Sequence, residues 1–332
     1  MNTTDILSLD IGSFSTKGII CRDSGKGLKV IKKILFRTPD GTAANGNLID
    51  VPTLSATIRD HLIKNAISAK KVVFSITSSD IITREFTLPT KKTSEIKQMI
   101  GFEVEKALPI QMDQYIIEFF IIQSGKNKSE NSSRIFVAAT PKEIVEKYWQ
   151  LAEMLKLQPL VLTIHACNIA AFFNEKQIIN GREFDPVKTT AILDIGHVYT
   201  ECNIIKNGNI LFHRTIQLGG KNFLSEARSA NTSDVAAAQD AVDVDEIKVG
   251  IWLQEIQRGM RYYSSMNTGN PVENIILTGG CSDIKMLPSY ISDSLEIPAE
   301  VLTASSIIQE SEKTMRDTCQ YFINTLGALI KK

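Results

Sequence analysis

The chain has 332 residues, more than one hydrophobic core ordinarily serves, so two lobes are expected. Apolar residues make up 43% and charged residues 22%, which excludes a disordered chain. Lysine plus arginine equals aspartate plus glutamate at 37 each, so no basic excess points to nucleic acid as a partner.

Residues 5–11, 15–22 and 27–36 read as three short strands joined by turns rich in Gly, Ser and Asp, an antiparallel meander. After the polar loop "RTPDGTAANGNLID", a helix is expected from Val51 to Asn65, and strands at 72–76 and 81–87. Residues 91–108 form an amphipathic pattern with Ile96, Met99, Ile100, Val104 and Leu108 near one face, bounded by Pro89 and Pro109. Two strands, "QYIIEFFIIQ" and "SRIFVAAT", flank the turn-rich loop "SGKNKSENSS", expected to be solvated. A helix at 141–155, a strand at 158–164 and a helix at 165–174 follow, and the polar stretch 174–188 reads as a boundary between lobes.

Beyond that boundary the opening pattern returns. "ILSLDIGSFSTKGII" and "TAILDIGHVYTECNII" share an apolar strand, an Asp-Ile-Gly turn and an outgoing apolar strand, an internal repeat of one structural unit. Small-residue hairpin tips expose backbone N–H groups that can hold phosphate oxygens. In the first, Gly12 permits close backbone approach, Ser13 and Ser15 bring hydroxyls, and Lys17 brings a point charge for a phosphate. Asp10 and its counterpart Asp194 are acceptors only, and beside a polyphosphate they call for Mg2+ held through water. Either hairpin alone could be a plain turn with an acid at a strand end; both at matching positions favour a cleft. A third unit, "VENIILTGGCSDIKMLPSYISDSLEIPAEVL", places Gly279–Gly280 at a strand-to-helix turn, where a base and ribose could lie against the backbone.

Other chemistry is absent from the pattern. The five cysteines form no CxxC pair or zinc spacing and the four histidines no HExxH cluster, which suits a reducing cytoplasm. The first residues, "MNTTDILSLDIG", lack a basic segment followed by an apolar one, so no signal peptide is read. The run 160–173 is short for a membrane span and contains His165 and Asn168. Neither a P-loop nor a dinucleotide GxGxxG occurs.

Two phosphate hairpins followed by an adenosine Gly-Gly turn resemble the actin-like ATPase superfamily, which includes actin, the sugar kinases and the division protein FtsA. The finer resemblance is to the PilM family of type IV pilus assembly and to the related cytoplasmic part of the type II secretion protein GspL. It rests on "LDIGSFSTKGII", on "FSITSSDIITREFTLPTKKTSEIKQMIGFEVEKALPIQMDQYIIEF", on "LQEIQRGMRYYSSM" and on "FINTLGALIKK". The resemblance implies an α/β, two-lobed actin-like ATPase fold of duplicated β-hairpin/α units, with an inserted α+β subdomain in the first lobe. The lobes are expected at 1–76 plus 160–178 and at 179–332, and the insertion at 77–159.

ATP with Mg2+ is the implied cofactor. It would be bound by Asp10, Gly12, Ser13, Phe14, Ser15 and Lys17, then by Asp194, Gly196, His197 and Thr200, and by Gly279, Gly280 and Ser282. The family pattern adds Gly219 and Gly220, a glycine pair that could equally be an ordinary turn, and Glu255 with Arg258, which could equally be a solvent-facing ion pair. Asp10 and Asp194 would hold the metal through water. Val198 adds bulk where vigorous ATPases are small, and Glu201 is the nearest water-activating candidate, so slow or absent turnover is expected. The implied role is a cytoplasmic adaptor of an inner-membrane assembly platform, peripheral to the membrane through a partner. That partner is the N-terminal cytoplasmic tail of a bitopic PilN-like protein, with an assembly ATPase of the same machine as a further partner. Alternatives are a GspL-like secretion component and a small-molecule kinase of the same fold.

Overall fold

The computed structural model describes residues 5–23, 28–90, 92–124, 132–174, 176–224, 244–310 and 319–330. Most of the loop "SGKNKSENSS" and the two C-terminal lysines lie outside the described residues.

The expected meander forms: β1 (Ile6–Ile11), β2 (Ser15–Asp23) and β3 (Leu28–Arg37) pair antiparallel in sequence order. A small hairpin follows, β4 (Ala43–Ala44) with β5 (Asn47–Leu48). The helix α1 (Val51–Lys64) starts where Asp50 accepts a hydrogen bond from the Thr53 N–H at 3.0 Å, with Pro52 in its first turn. β6 (Lys71–Ile76) pairs parallel with β1.

The insertion then leaves the first sheet. It contains β7 (Ile82–Leu88), α2 (Thr93–Ala107), β8 (Tyr115–Ser124) and β9 (Ser133–Pro141), with sheet order β7-β9-β8. Ile96, Ile100 and Val104 of α2 form one buried stripe, packed with Leu88, Ile135 and Val137. The next helix, α3 (Lys142–Leu155), differs from expectation. Its buried residues Ile144, Tyr148, Leu151 and Leu155 join the core of the first lobe with Leu54 and Ile58 of α1, so the insertion ends at β9 and not at residue 159. β10 (Gln158–Ile164) closes this lobe as an edge strand beside β6, and α4 (His165–Phe172) leads away from it.

The polar stretch at the boundary folds as a hairpin of its own, β11 (Gln177–Ile179) with β12 (Arg182–Phe184). The second lobe repeats the first. β13 (Thr190–Ile195), β14 (Thr200–Lys206) and β15 (Asn209–Ile216) form its meander. A short helix α5 (Gly220–Phe223) and the long α6 (Glu246–Met266) follow, α6 being capped by Asp245. β16 (Asn274–Thr278), α7 (Leu287–Leu295) and β17 (Ala299–Val301) complete the lobe. The sheet orders are β10-β6-β1-β2-β3-β18 and β15-β14-β13-β16-β17, the two-residue strand β18 (Gln309–Glu310) being added to the first. Apart from β18 the two orders correspond strand for strand. Parallel neighbours on one side and helices on both faces explain why β1 and β13 are buried almost throughout.

The last helix, α8 (Cys319–Gly327), pairs with α4 between the lobes. Their close approach needs Gly327, since a β-carbon there would lie 2.1 Å from the Asn168 carbonyl oxygen. Ile169 and Phe172 of α4 and Phe322, Ile323 and Leu326 of α8 share one core with Ile19 and Val73 of the first sheet and Ile192 and Ile276 of the second. The closing helix is therefore interior. Among the described residues no helix is long and apolar enough to cross a membrane.

The insertion touches both lobes. The residues of β8 alternate, so Ile117, Phe119 and Ile121 lean on the α2 cluster. Ile122 instead joins Phe136, Ala166 and Ala170 of α4, and Ile210 of β15 in the second lobe, with Phe120 against the same cluster.

Candidate functional site

The two hairpin tips close on one cavity of about 340 Å³. Their local geometry is the same: Gly12 N–H donates to the Ser15 carbonyl at 3.1 Å, and Gly196 N–H to the Tyr199 carbonyl at 2.9 Å. Register makes the comparison exact in sequence but opposite in charge. Asp10 stands across from Lys17 in the first hairpin, and Asp194 across from Glu201 in the second.

Of the residues expected at the site, Asp10, Gly12, Ser13, Phe14, Ser15, Lys17, Asp194, Gly196, His197 and Gly280 line the cavity. The others lie behind or beside it. Thr200 is buried, accepts from the Trp252 indole N–H at 2.9 Å and donates to the Leu218 carbonyl at 2.8 Å. Ser282 donates to the Gly279 carbonyl at 2.8 Å. Gly219 and Gly220 support the second hairpin: Gly220 N–H donates to the Gly196 carbonyl and Lys221 N–H to the His197 carbonyl. Glu255 pairs with Arg258 and with Arg214 along the exposed side of α6. Gly279, with φ of +92°, packs closely against Asp194 and the Ile195 backbone.

Three side chains from elsewhere complete the centre. His165, the first residue of α4, projects between the hairpins, with Nε2 3.4 Å from Asp10 Oδ1 and Nδ1 2.8 Å from Glu201 Oε2. Asn324 of α8 donates from Nδ2 to Asp194 Oδ2 at 2.6 Å. Behind Glu201 stands His213 of β15, whose Nε2 is 4.0 Å from Oε1. Sequence reasoning passed over His165 and Asn324, although a histidine inside the apolar run 160–173 is the kind of buried polar residue that needs an explanation.

The charges set one another. Burial opposes the carboxylate of Asp10, yet the Lys17 ammonium at 3.2 Å and the His165 imidazolium hold it well below the usual range. Burial likewise opposes charge on His165, but Asp10 and Glu201 outweigh it and push the ring up to about 10. Burial raises Asp194, with Glu201 adding to the effect and His165 opposing it. The Phe14 and His197 rings, both lining the cavity, meet with centroids 4.7 Å apart, and the Arg37 guanidinium lies over the Phe14 ring at 4.7 Å.

The residues present fit a nucleotide. The cavity has the size of a ligand site. A β-carbon at Gly280 would meet nothing within 4 Å, so its backbone borders open space. The Ser13 and Phe14 N–H groups, at the tip of the first hairpin, donate to no protein acceptor among the described residues. Lys17, Asp10 and Asp194 supply the cation and oxygen donors that phosphate with Mg2+ requires.

Comparison with known proteins bears on the same fold. A family model described as type IV pilus assembly protein PilM matches residues 8–247. A solved PilM–PilN type IV pilus biogenesis complex is similar at 21% identity and a TM-score of 0.79, covering 98% of this chain and 99% of that one. The ethanolamine utilization protein EutJ from Carboxydothermus hydrogenoformans follows at 10% identity and a TM-score of 0.55, covering 100% and 91%. A Bacteroides thetaiotaomicron protein with an actin-like ATPase fold has 10% identity and a TM-score of 0.53, covering 99% and 97%. These structures establish the two-lobed actin-like fold that the resemblance implied. Because the family model spans most of the length, the chain belongs to the type IV pilus assembly protein PilM family.

Proposed function

We propose that this protein is an ATP-binding adaptor of a type IV pilus assembly platform, which docks the cytoplasmic tail of a PilN-like membrane protein. The observation that carries the reading is membership of the PilM family, together with the insertion and a cavity built from two matched hairpins. In this reading Lys17 and the Ser13 and Phe14 N–H groups hold phosphate, and the Gly280 backbone faces the nucleoside. Asp10 and Asp194 would hold Mg2+, whose chemistry there would be to neutralise phosphate charge. Glu201 is already engaged by His165, so it is poorly placed to activate water, in keeping with slow or absent turnover.

Lys17→Ala should weaken ATP binding by about 10- to 100-fold, the loss of a charge-assisted contact of roughly 1.5–3 kcal/mol. Calorimetry with the full chain reads this directly. Unchanged affinity would remove the nucleotide from the cavity.

The tail is assigned to the junction of the insertion and the first lobe. Two edge strands, β8 and β10, run toward the same apolar cluster through Ile122 and Ile164. Leu160 and Val161 on β10 remain exposed, as do Ile116 on β8 and Phe102 on α2. Apolar side chains beside open strand edges suit an extended peptide that adds main-chain hydrogen bonds. A synthetic N-terminal peptide of a PilN-type protein should bind the full chain and lose about tenfold or more in affinity to Val161→Lys. Wild-type affinity in folded Val161→Lys and Phe102→Glu variants would place the tail elsewhere.

A further inference from the structure

We propose that His165, Asp194 and Glu201 form a binding site for a divalent transition-metal ion of the Mn2+ or Zn2+ class, one that fills without nucleotide. One donor atom from each residue lies within 4.8 Å of the others. His165 Nδ1 is 2.8 Å from Glu201 Oε2 and 3.8 Å from Asp194 Oδ2. Metal–ligand bonds of about 2.0–2.2 Å place neighbouring donors roughly 3–3.5 Å apart, so shifts of about 1 Å suffice. The acids come from facing positions of one hairpin and the histidine from the start of α4, so the donors converge from separate elements.

The donors have charged or polar neighbours behind them, as metal ligands commonly do. The other ring nitrogen of His165 lies 3.4 Å from Asp10 Oδ1, at ion-pair distance. Asp194 is held by Asn324, and the second oxygen of Glu201 faces His213.

A second observation comes from the same cavity. Asn324 is only 4% exposed and lines the cavity, yet its Oδ1 has no hydrogen-bond partner. A buried acceptor without a donor calls for a cation or a bound donor beside it. Mg2+ carried by a nucleotide would take oxygen donors and water. An imidazole nitrogen with two carboxylates instead favours a first-row transition metal. When the ion enters, the proton now shared between His165 Nδ1 and Glu201 leaves to solvent, and the freed nitrogen lone pair binds the metal.

The test uses the full chain, stripped with EDTA, freed of nucleotide and titrated with Mn2+ at mildly alkaline pH. The expected result is saturable uptake of one Mn2+ per chain, with nitrogen hyperfine coupling from one imidazole in pulsed EPR. His165→Gln should abolish the coupling and weaken uptake by roughly tenfold or more. His61→Gln, on α1 and stacked on Phe36 away from the cavity, should keep the coupling, and Glu201→Gln, which should weaken uptake, is the second variant if His165→Gln does not fold. Four results would overturn the site: no uptake without ATP, uptake without nitrogen coupling, coupling that survives His165→Gln or vanishes in His61→Gln, or uptake unchanged in Glu201→Gln. ATP affinity, measured separately with Mg2+, tests the nucleotide reading, and either can fail without the other.

Discussion

Gly279→Ala should lower the unfolding free energy by roughly 3 kcal/mol or more, combining positive-φ strain with overpacking. The backbone there has φ of +92°, and a β-carbon would lie 2.3 Å from Asp194 Oδ1 and 2.6–2.7 Å from backbone atoms of Ile195. Those atoms cannot yield easily, because β13 is held on both sides by β14 and β16. The neighbouring Gly280→Ala is the control. Its β-carbon would enter open space, so stability should change by less than about 1 kcal/mol while ATP affinity falls. Urea unfolding of both variants decides the matter. Equal midpoints would mean that the turn is not held against Asp194 as described.

In EDTA and without nucleotide, stability should fall as pH rises from about 7 to about 10. The His165 ring has an ordinary value of 6.5 when unfolded and is pushed up to about 10 when folded, as Asp10 and Glu201 outweigh its burial. Between those values the folded chain binds the extra proton, so raising the pH favours unfolding. The contribution is complete below the unfolded value and lost as pH passes the folded one. Asp10 acts at the other end: its carboxyl is held low, so its contribution is lost as pH falls below the usual carboxylate range. His165→Gln should be less stable near neutral pH, because Asp10 and Glu201 lose their buried cation, by about 3–5 kcal/mol. Its stability should also vary less across the alkaline window. A wild-type profile parallel to that of His165→Gln from pH 7 to 10 would show that the ring is not charged in the folded state.

Most elements were legible because local rules agreed. The Asp-Ile-Gly repeat marked both hairpins, and the apolar spacing at Ile96, Ile100 and Val104 marked α2. The cavity was legible where backbone and turn define it, at Gly12, Ser13, Gly196 and Gly280. It was hidden where strand alternation and distant elements decide. Thr200 and Glu201 are adjacent, yet one meets Trp252 and the other the cavity, because successive strand residues point to opposite faces. His165 and Asn324 reach the centre only after α4 and α8 pair between the sheets, a relation between segments over 150 residues apart. The insertion boundary failed for a similar reason. The amphipathic pattern of α3 announces a buried face but not whose core receives it, and α1 supplied the complement.

The contact between Ile122 and Phe136 of the insertion and Ile210, Ala166 and Ala170 outside it has a consequence for chimaeras. A cassette of β7 through β9 moved into another scaffold of this architecture would arrive with two large apolar side chains uncovered. The donor scaffold would keep Ile210 and a helix notched by two alanines four residues apart, a recess shaped for side chains no longer there. A graft that carries the α4 alanines and Ile210 along with the cassette should stay monomeric, while the cassette alone should self-associate through its bared face.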